Sequence, residues 1–415
     1  MKKLKLILSL LLIVFLVACQ PEEQPGEEKK DRTMTNHSVY ENGINYPDEL
    51  WQKPTFYYDE DKDIDNRNIK AVWLRSDYQG QESYAFAYLG YPAVIKENMP
   101  AVLLLHGGGG TAYPDWVSRW TDLGYVALAV DLEGNQPKED ANMSLTPNLL
   151  YTNSVYPTPK NQHFNDFNKP IEETWIYYAT KTAIIANSFL HNLDDVEKLK
   201  IGVVGVSWGG FIASVITGYD DRFSFSVPIY VTLNNEGTDS NLSDYLSVSP
   251  AASIFDNDDP LGHIQTPMLI LGSNVDQSSR LDSLVKTYLK VPNGYLSIHD
   301  NLLHAQGIAA DLLEPYLFAT AMNEDKPYPK IITQPTSSKN EVTIELPENI
   351  TIDRARLIYA EEDIHIQASY GRKNVSVNEQ TVTFDVAEEM VYYYINILDS
   401  SGITTSSLII DKNKE

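Results

Sequence analysis

Between about Asn68 and Glu324, short apolar runs alternate with stretches of helical period. The runs Ala101 to Leu105, Tyr125 to Val130, Ile201 to Val206, Pro267 to Gly272 and Tyr295 to Ile298 are each bounded by Gly, Pro or Asp. Continuous apolar character over so few residues is what parallel strands buried on both faces require. Between them, Ile171, Trp175, Ala179, Thr182, Ala186, Leu190 and Leu193 recur at three- and four-residue steps. This spacing predicts one helix of more than about twenty residues with an apolar face. Residues 69–92 alternate polar and apolar around turn residues, as an antiparallel edge hairpin does. Residues 132–170, rich in Asn and Pro, have no period and are expected to form a loop framing the functional site.

The pattern changes after Pro327. KIITQPTSSKNEVTIEL, ARLIYAEED, HIQASY, QTVTFDV, MVYYYINIL and TTSSLII are short β-rich runs separated by turn residues. They predict a small all-β sandwich over residues 327–415. The fold class expected is therefore α/β over residues 41–326, a mostly parallel central sheet with helices on both faces, followed by this sandwich.

The first residues read differently. Lys2, Lys3 and Lys5 precede an apolar run from Leu6 to Val17, which is too short for a membrane span of roughly twenty residues. Residues 1–18 are expected to be a signal peptide. Leu16-Val17-Ala18-Cys19 resembles a bacterial lipobox, and Cys19, the one Cys in 415 residues, is the expected site of lipidation and of attachment to a bilayer. Residues 19–40 carry PEEQPGEEKKDR, polar and charged enough for an acidic tether. With 43% hydrophobic and 21% charged residues, wholesale disorder, collagen-like sequence and a polytopic membrane protein are excluded. A formal net charge of −25 repels a phosphate backbone, so nucleic acid is not an expected partner.

Candidate chemistry sits at the ends of the apolar runs. Gly205-Val206-Ser207-Trp208-Gly209-Gly210 fits G-x-S-x-G, with a strand before Ser207 and the helical run FIASVIT after it. Ser207 would occupy a sharp strand-to-helix turn at positive φ, where only flanking Gly lets the two elements approach. His106-Gly107-Gly108-Gly109-Gly110 follows the first strong central strand. N–H groups from Gly107, Gly108 or Gly109, with that of Trp208, are candidates for an oxyanion hole. His106 itself reads as a structural residue at the strand end. A serine nucleophile needs a base and a group to orient it, and Asp276 and His304 follow in the order Ser, acid, His. Alternation places Tyr295, Ser297 and His299 on one strand face, packed between sheet and helix. Only His304, beyond the strand, can then reach over the sheet edge.

HGGGG, GVSWGG, PMLILGSNVDQ and the terminal HAQG occur in this order between about Gly80 and Gly307. This stretch resembles the acetyl xylan esterase and dienelactone hydrolase-like branch of the α/β-hydrolases. Trp208 stands where acetyl xylan esterases often have Gln, and Ser207 where dienelactone hydrolases proper have Cys. The resemblance implies an exported serine hydrolase acting on a small ester or an acetylated carbohydrate. No metal or organic cofactor is expected, since there is no HExxH and the sole Cys is at the anchor. Two other readings stay open. One is a serine peptidase similar to the hydrolase domain of the prolyl oligopeptidases, which carry a β-propeller ahead of it. The other is a surface glycan-binding lipoprotein with an idle hydrolase fold.

Overall fold

The apolar runs become the middle of one large sheet in the computed structural model, which describes residues 43–138, 143, 151–159, 166, 168–246, 254–362 and 369–413. The expected signal peptide, Cys19 and the expected tether lie outside these residues, as do residues 139–142, 144–150, 160–165 and 167 of the expected loop over 132–170 and most of the run HIQASY. The strands are β1 (Phe56–Tyr58), β2 (Ile69–Arg75), β3 (Tyr84–Gly90), β4 (Met99–Leu105), β5 (Val126–Val130), a small hairpin β6 (Asn135–Pro137) and β7 (Tyr151–Asn153), then β8 (Val196–Val206), β9 (Ser226–Ile229), β10 (Met268–Ser273) and β11 (Gly294–His299). The sheet has the order β1-β2-β3-β5-β4-β8-β9-β10-β11. From β5 to β11 all neighbours are parallel. Residues 101–105 and 126–130 are buried throughout, each large aliphatic contributing about 1.5–3 kcal/mol by leaving water. The β2–β3 hairpin forms as its alternation predicts, but β1 pairs outside β2 and takes the edge.

The helices used below are α1 (Pro114–Asp122), α2 (Trp175–His191), α3 (Trp208–Tyr219), α4 (Leu281–Lys290), α5 (Gln306–Asp311) and α6 (Glu314–Asn323). The expected long helix from Ile171 to Leu193 is shorter, at 17 residues. Ile171–Glu173 is a 3-10 turn, and Thr174 leaves the helical region at ψ 154° to accept the Tyr177 N–H on its hydroxyl. That cap resets the start. Nor is α2 buried on one face only, since all its residues but Lys181 are buried. The N-terminal segment covers its outer side: Tyr46 Oη donates to Thr180 Oγ1 at 2.6 Å, and Ser188 Oγ donates to the Leu50 carbonyl at 2.6 Å.

The C-terminal region forms two further sheets as its runs predict. The strands are β12 (Lys330–Thr333), β13 (Glu341–Glu345), β14 (Ile352–Ala360), β15 (Gly371–Asn374), β16 (Ser376–Asn378), β17 (Thr381–Thr383), β18 (Tyr392–Asp399), β19 (Thr404–Ser406) and β20 (Ile410–Asp411). One sheet has the order β12-β13-β17-β16, the other β15-β14-β18-β19 with β20 on β18. Val342, Ile344 and Val382 of the first share a core with Ala355, Leu357, Tyr393, Ile395 and Ile397 of the second. The opposite face of the second sheet is not left to water. Ile358, Ala360, Tyr392 and Tyr394 belong to the same apolar core as the central sheet.

Candidate active site

The parallel strands all end on one side, and the loops leaving their carboxyl ends carry the candidate chemistry, as open α/β sheets generally arrange it. Ser207 joins β8 to α3 at φ 56° and ψ −120°. The turn is possible because of its glycines. A Cβ on Gly205 would lie 2.0 Å from the Gly209 carbonyl oxygen, and one on Gly209 would lie 2.1 Å from that of Leu105. The Ser207 N–H donates to the Ile229 carbonyl at 2.9 Å, tying the elbow to the end of β9.

Asp276, after β10, and His304, after β11, come together at this turn. His304 Nε2 lies 2.7 Å from Ser207 Oγ, and His304 Nδ1 lies 2.7 Å from Asp276 Oδ2. Asp276 is buried and His304 partly exposed. Asp276 Oδ1 is held by the Ser278 N–H at 2.7 Å, which leaves Oδ2 for the imidazole. His299 goes elsewhere, with Nε2 2.8 Å from the buried Oε1 of Glu314 on α6. That imidazole offsets the burial that would otherwise raise the Glu314 carboxyl, and holds it below its ordinary range.

The glycine loop is more committed than its sequence suggests. The Gly107 N–H donates to Gln306 Oε1 at 3.0 Å, and the Gly109 N–H donates to both carboxylate oxygens of Glu133, at 2.9 and 3.0 Å. Two of the three expected glycine donors thus have acceptors inside the protein. The Gly108 N–H has none among the described residues and lies beside Trp208, whose ring a Gly108 Cβ would meet at 2.7 Å. Trp208 is the first residue of α3, so its backbone N–H lies at the helix N-terminus. His106 is buried as expected of a structural residue: Nε2 accepts the Leu132 N–H at 2.9 Å, so Nδ1 carries the proton and donates to the Gly107 carbonyl at 2.7 Å.

No protein-family model matches this chain, and no curated protein matches it. Solved structures do. An acetyl xylan esterase from Paenibacillus sp. R4 is similar at 15% identity over 67% of this chain and 91% of that one, with a TM-score of 0.50. The fold is that of an α/β-hydrolase. Acetyl xylan esterase 1 from Thermoanaerobacterium sp. JW/SL YS485 matches at 13% identity over 68% of this chain and 96% of that one, TM-score 0.47. A glucuronoyl esterase from Caldicellulosiruptor kristjansonii matches at 13% identity over 68% and 82%, TM-score 0.44.

Two residues of this site, Glu133 and Tyr230, lie outside the sequence motifs, and a third, Gln306, lies within HAQG but was given no role there. Glu133, fully buried, braces Gly109; its one signal was an acidic residue just past β5, on the same sheet edge as the glycines. Gln306 ties the His304 segment to the glycine loop, two residues beyond the histidine. Tyr230, just past β9, has φ 70° and no exposed surface. For a bulky aromatic that backbone is an outlier costing on the order of 1–3 kcal/mol. Nothing in the run SVPIYVT announces it. Among the described residues, no three His, Cys, Asp or Glu side chains are grouped to hold a metal ion, and no helix is long and apolar enough to cross a membrane.

Proposed function

We propose that this protein is a serine carboxylic-ester hydrolase that removes short acyl groups, acetyl above all, from acylated carbohydrate. The observation that carries this reading is the continuous relay from Ser207 Oγ through His304 to Asp276, 2.7 Å at each contact. Ser207 Oγ attacks the ester carbonyl while His304 Nε2 takes its proton. Asp276 holds the Nδ1 proton and so fixes both the tautomer and the charge that develops on the ring. The tetrahedral oxygen is met by the N–H groups of Gly108 and Trp208. Collapse expels the alkoxide, which takes the proton back from His304. Water then attacks the acyl carbon as His304 takes its proton, and the C–Oγ bond breaks to release the acid while His304 returns that proton to Ser207 Oγ. No group outside the chain is required for these steps.

The acetyl preference is supported by the order of the sequence motifs and by the similarity in fold to an acetyl xylan esterase. Its test is a panel of acetylated xylan, aryl esters of increasing acyl length and aminoacyl-proline amides, together with fluorophosphonate labelling of Ser207. Acetate esters should be turned over fastest, and Ser207→Ala should abolish labelling. Butyrate or longer chains turned over an order of magnitude faster, or preferred cleavage of the amides, would discard the acetyl assignment. The enzyme acts, in this reading, outside the cytoplasmic membrane on a lipid anchor at Cys19. Metabolic palmitate labelling that survives Cys19→Ser would refute the anchor.

A further inference from the structure

The ring of Tyr230 lies face to face with that of His304, centroids 4.4 Å apart and planes inclined by 20°. Its hydroxyl donates to the Leu303 carbonyl at 2.7 Å, immediately before the histidine. Its own N–H donates to the Leu271 carbonyl of β10 at 2.7 Å, and the preceding carbonyl, that of Ile229, accepts the Ser207 N–H at 2.9 Å. Tyr230 therefore touches the strand that leads to Asp276 and both the ring and the backbone of the histidine segment, and its neighbour Ile229 holds the elbow that carries Ser207. The positive φ of 70° belongs to this arrangement. It turns the chain at the end of β9 and carries the side chain over the sheet edge, and a Cβ on Gly210 would strike the Val231 carbonyl oxygen at 2.7 Å, so this turn is pressed onto α3.

We propose that Tyr230 is a positioning residue for His304, fixing the plane of the imidazole through the stacked ring and the height of its loop through the hydroxyl. The need for one follows from the loop itself. Asn301, at φ 61°, and residues 302–305 form no helix or strand, and the two in-plane contacts of the imidazole, to Asp276 and Ser207, leave it free to tilt about the line joining them. A flat partner against the face removes that tilt. The inference rests on the assignment of Ser207, His304 and Asp276 given above, and it adds a residue that acts through His304.

The test uses the full chain and three substitutions. Tyr230→Asn removes ring and hydroxyl while placing a residue that accepts positive φ, and Tyr230→Gly serves in its place if the Asn protein does not fold. Tyr230→Phe keeps the ring alone. On an aryl acetate, Tyr230→Asn should lower kcat about 10- to 100-fold, the scale of a small misplacement of a reacting group, with KM changed by less than about twofold. Tyr230→Phe should recover most of that loss. In the substrate-free protein, the downfield proton resonance of the His304–Asp276 hydrogen bond should be sharp in the native and Phe proteins and broadened or absent in the Asn protein. Native kcat and a sharp resonance in the Asn protein would overturn the proposal. So would equal loss in Asn and Phe, because the ring would then have no part in it. If native protein neither hydrolyses acetate nor takes a fluorophosphonate on Ser207, the hydrolase reading fails, while the resonance still decides whether Tyr230 orders His304.

Discussion

Ser207 and Tyr230 both hold backbone angles that L-residues avoid, and both do so within reach of His304. Strain of this kind persists only where surrounding contacts over-determine it, which is why it gathers at working sites. The two histidines after β10 differ in what they face. His304 Nε2 faces a hydroxyl at a partly open site, whereas His299 faces Glu314, a carboxylate buried to 2% exposure. Replacing His304 by Ala should lower kcat by several orders of magnitude, about as far as Ser207→Ala, because the members of such a relay act as a unit. Its stability should fall as well, because the buried Asp276 carboxylate loses its imidazole partner. His299→Ala leaves the Glu314 carboxylate buried without its partner, at a cost of about 3–5 kcal/mol, and the folded fraction should keep its kcat. Steady-state kinetics and urea unfolding on both proteins check this, and a stable, inert His299→Ala protein would reverse the roles.

At the scale of elements, α2 shows what periodicity can and cannot reveal. The three- and four-residue steps located the helix, but Thr174 and the 3-10 turn before it set its start, and no apolar count records that a hydroxyl takes the Tyr177 N–H. The strands were legible because burial on both faces leaves an unbroken apolar run. That Ser207, Asp276 and His304 come together could be read from the sequence because each follows such a run. Glu133 and Tyr230 were not, because their work depends on neighbours in space, the glycine loop and the His304 ring. His191, the last residue of α2, is another such case. It is buried, neither ring nitrogen has a hydrogen-bond partner among the described residues, and burial together with the nearby Arg222 guanidinium lowers its pKa to about 4. The unfolded chain takes up this proton near 6.5, so between about pH 6.5 and 4 the unfolded state binds more protons and native stability falls as pH falls. His191→Leu should remove that slope. Urea unfolding should show a gain about 1–2 kcal/mol larger at pH 5 than at pH 8. A gain equal at both pH values would show that the imidazole does not titrate in this window.

For the whole molecule, the decisive feature is how the C-terminal sheets meet the outer edge of the central sheet. An edge strand exposes unpaired N–H and C=O groups that invite association with other chains. At Ile298 of β11 both groups are taken by side chains of the β region. The Ile298 N–H donates to Ser406 Oγ at 2.7 Å, the Ile298 carbonyl accepts from Asn396 Nδ2 at 2.7 Å, and Ser406 donates to Asn396 Oδ1 at 2.6 Å. Just beyond the strand, Arg372 grips both oxygens of Asp300, at 2.6 and 2.7 Å. Asp300 Oδ1 also accepts from Asn274, two residues before Asp276, and Asn274 Oδ1 accepts the Asn301 N–H at 2.9 Å. The β region thus reaches the loops of both the acid and the histidine. Tyr328, at the crossing, stacks edge-on against Phe318 of α6 and Tyr295 of β11, at 5.0 and 5.7 Å. With Ile358, Tyr392, Tyr394 and Ile403 buried in the same core as the central sheet, the two regions should unfold together. Near-UV dichroism, which follows the six tryptophans, all in the described residues before 327 at Trp51, Trp73, Trp116, Trp120, Trp175 and Trp208, should give the same urea midpoint as a probe placed in the β region at Val377, an exposed position on β16. A chain ending at residue 326 should aggregate, because it uncovers β11 and the apolar surface beneath Tyr392 and Tyr394. Two separated transitions, or a soluble and active protein ending at residue 326, would mean that the C-terminal sheets are an independent appendage and that the contacts at Ile298 and Asp300 leave the catalytic loops untouched.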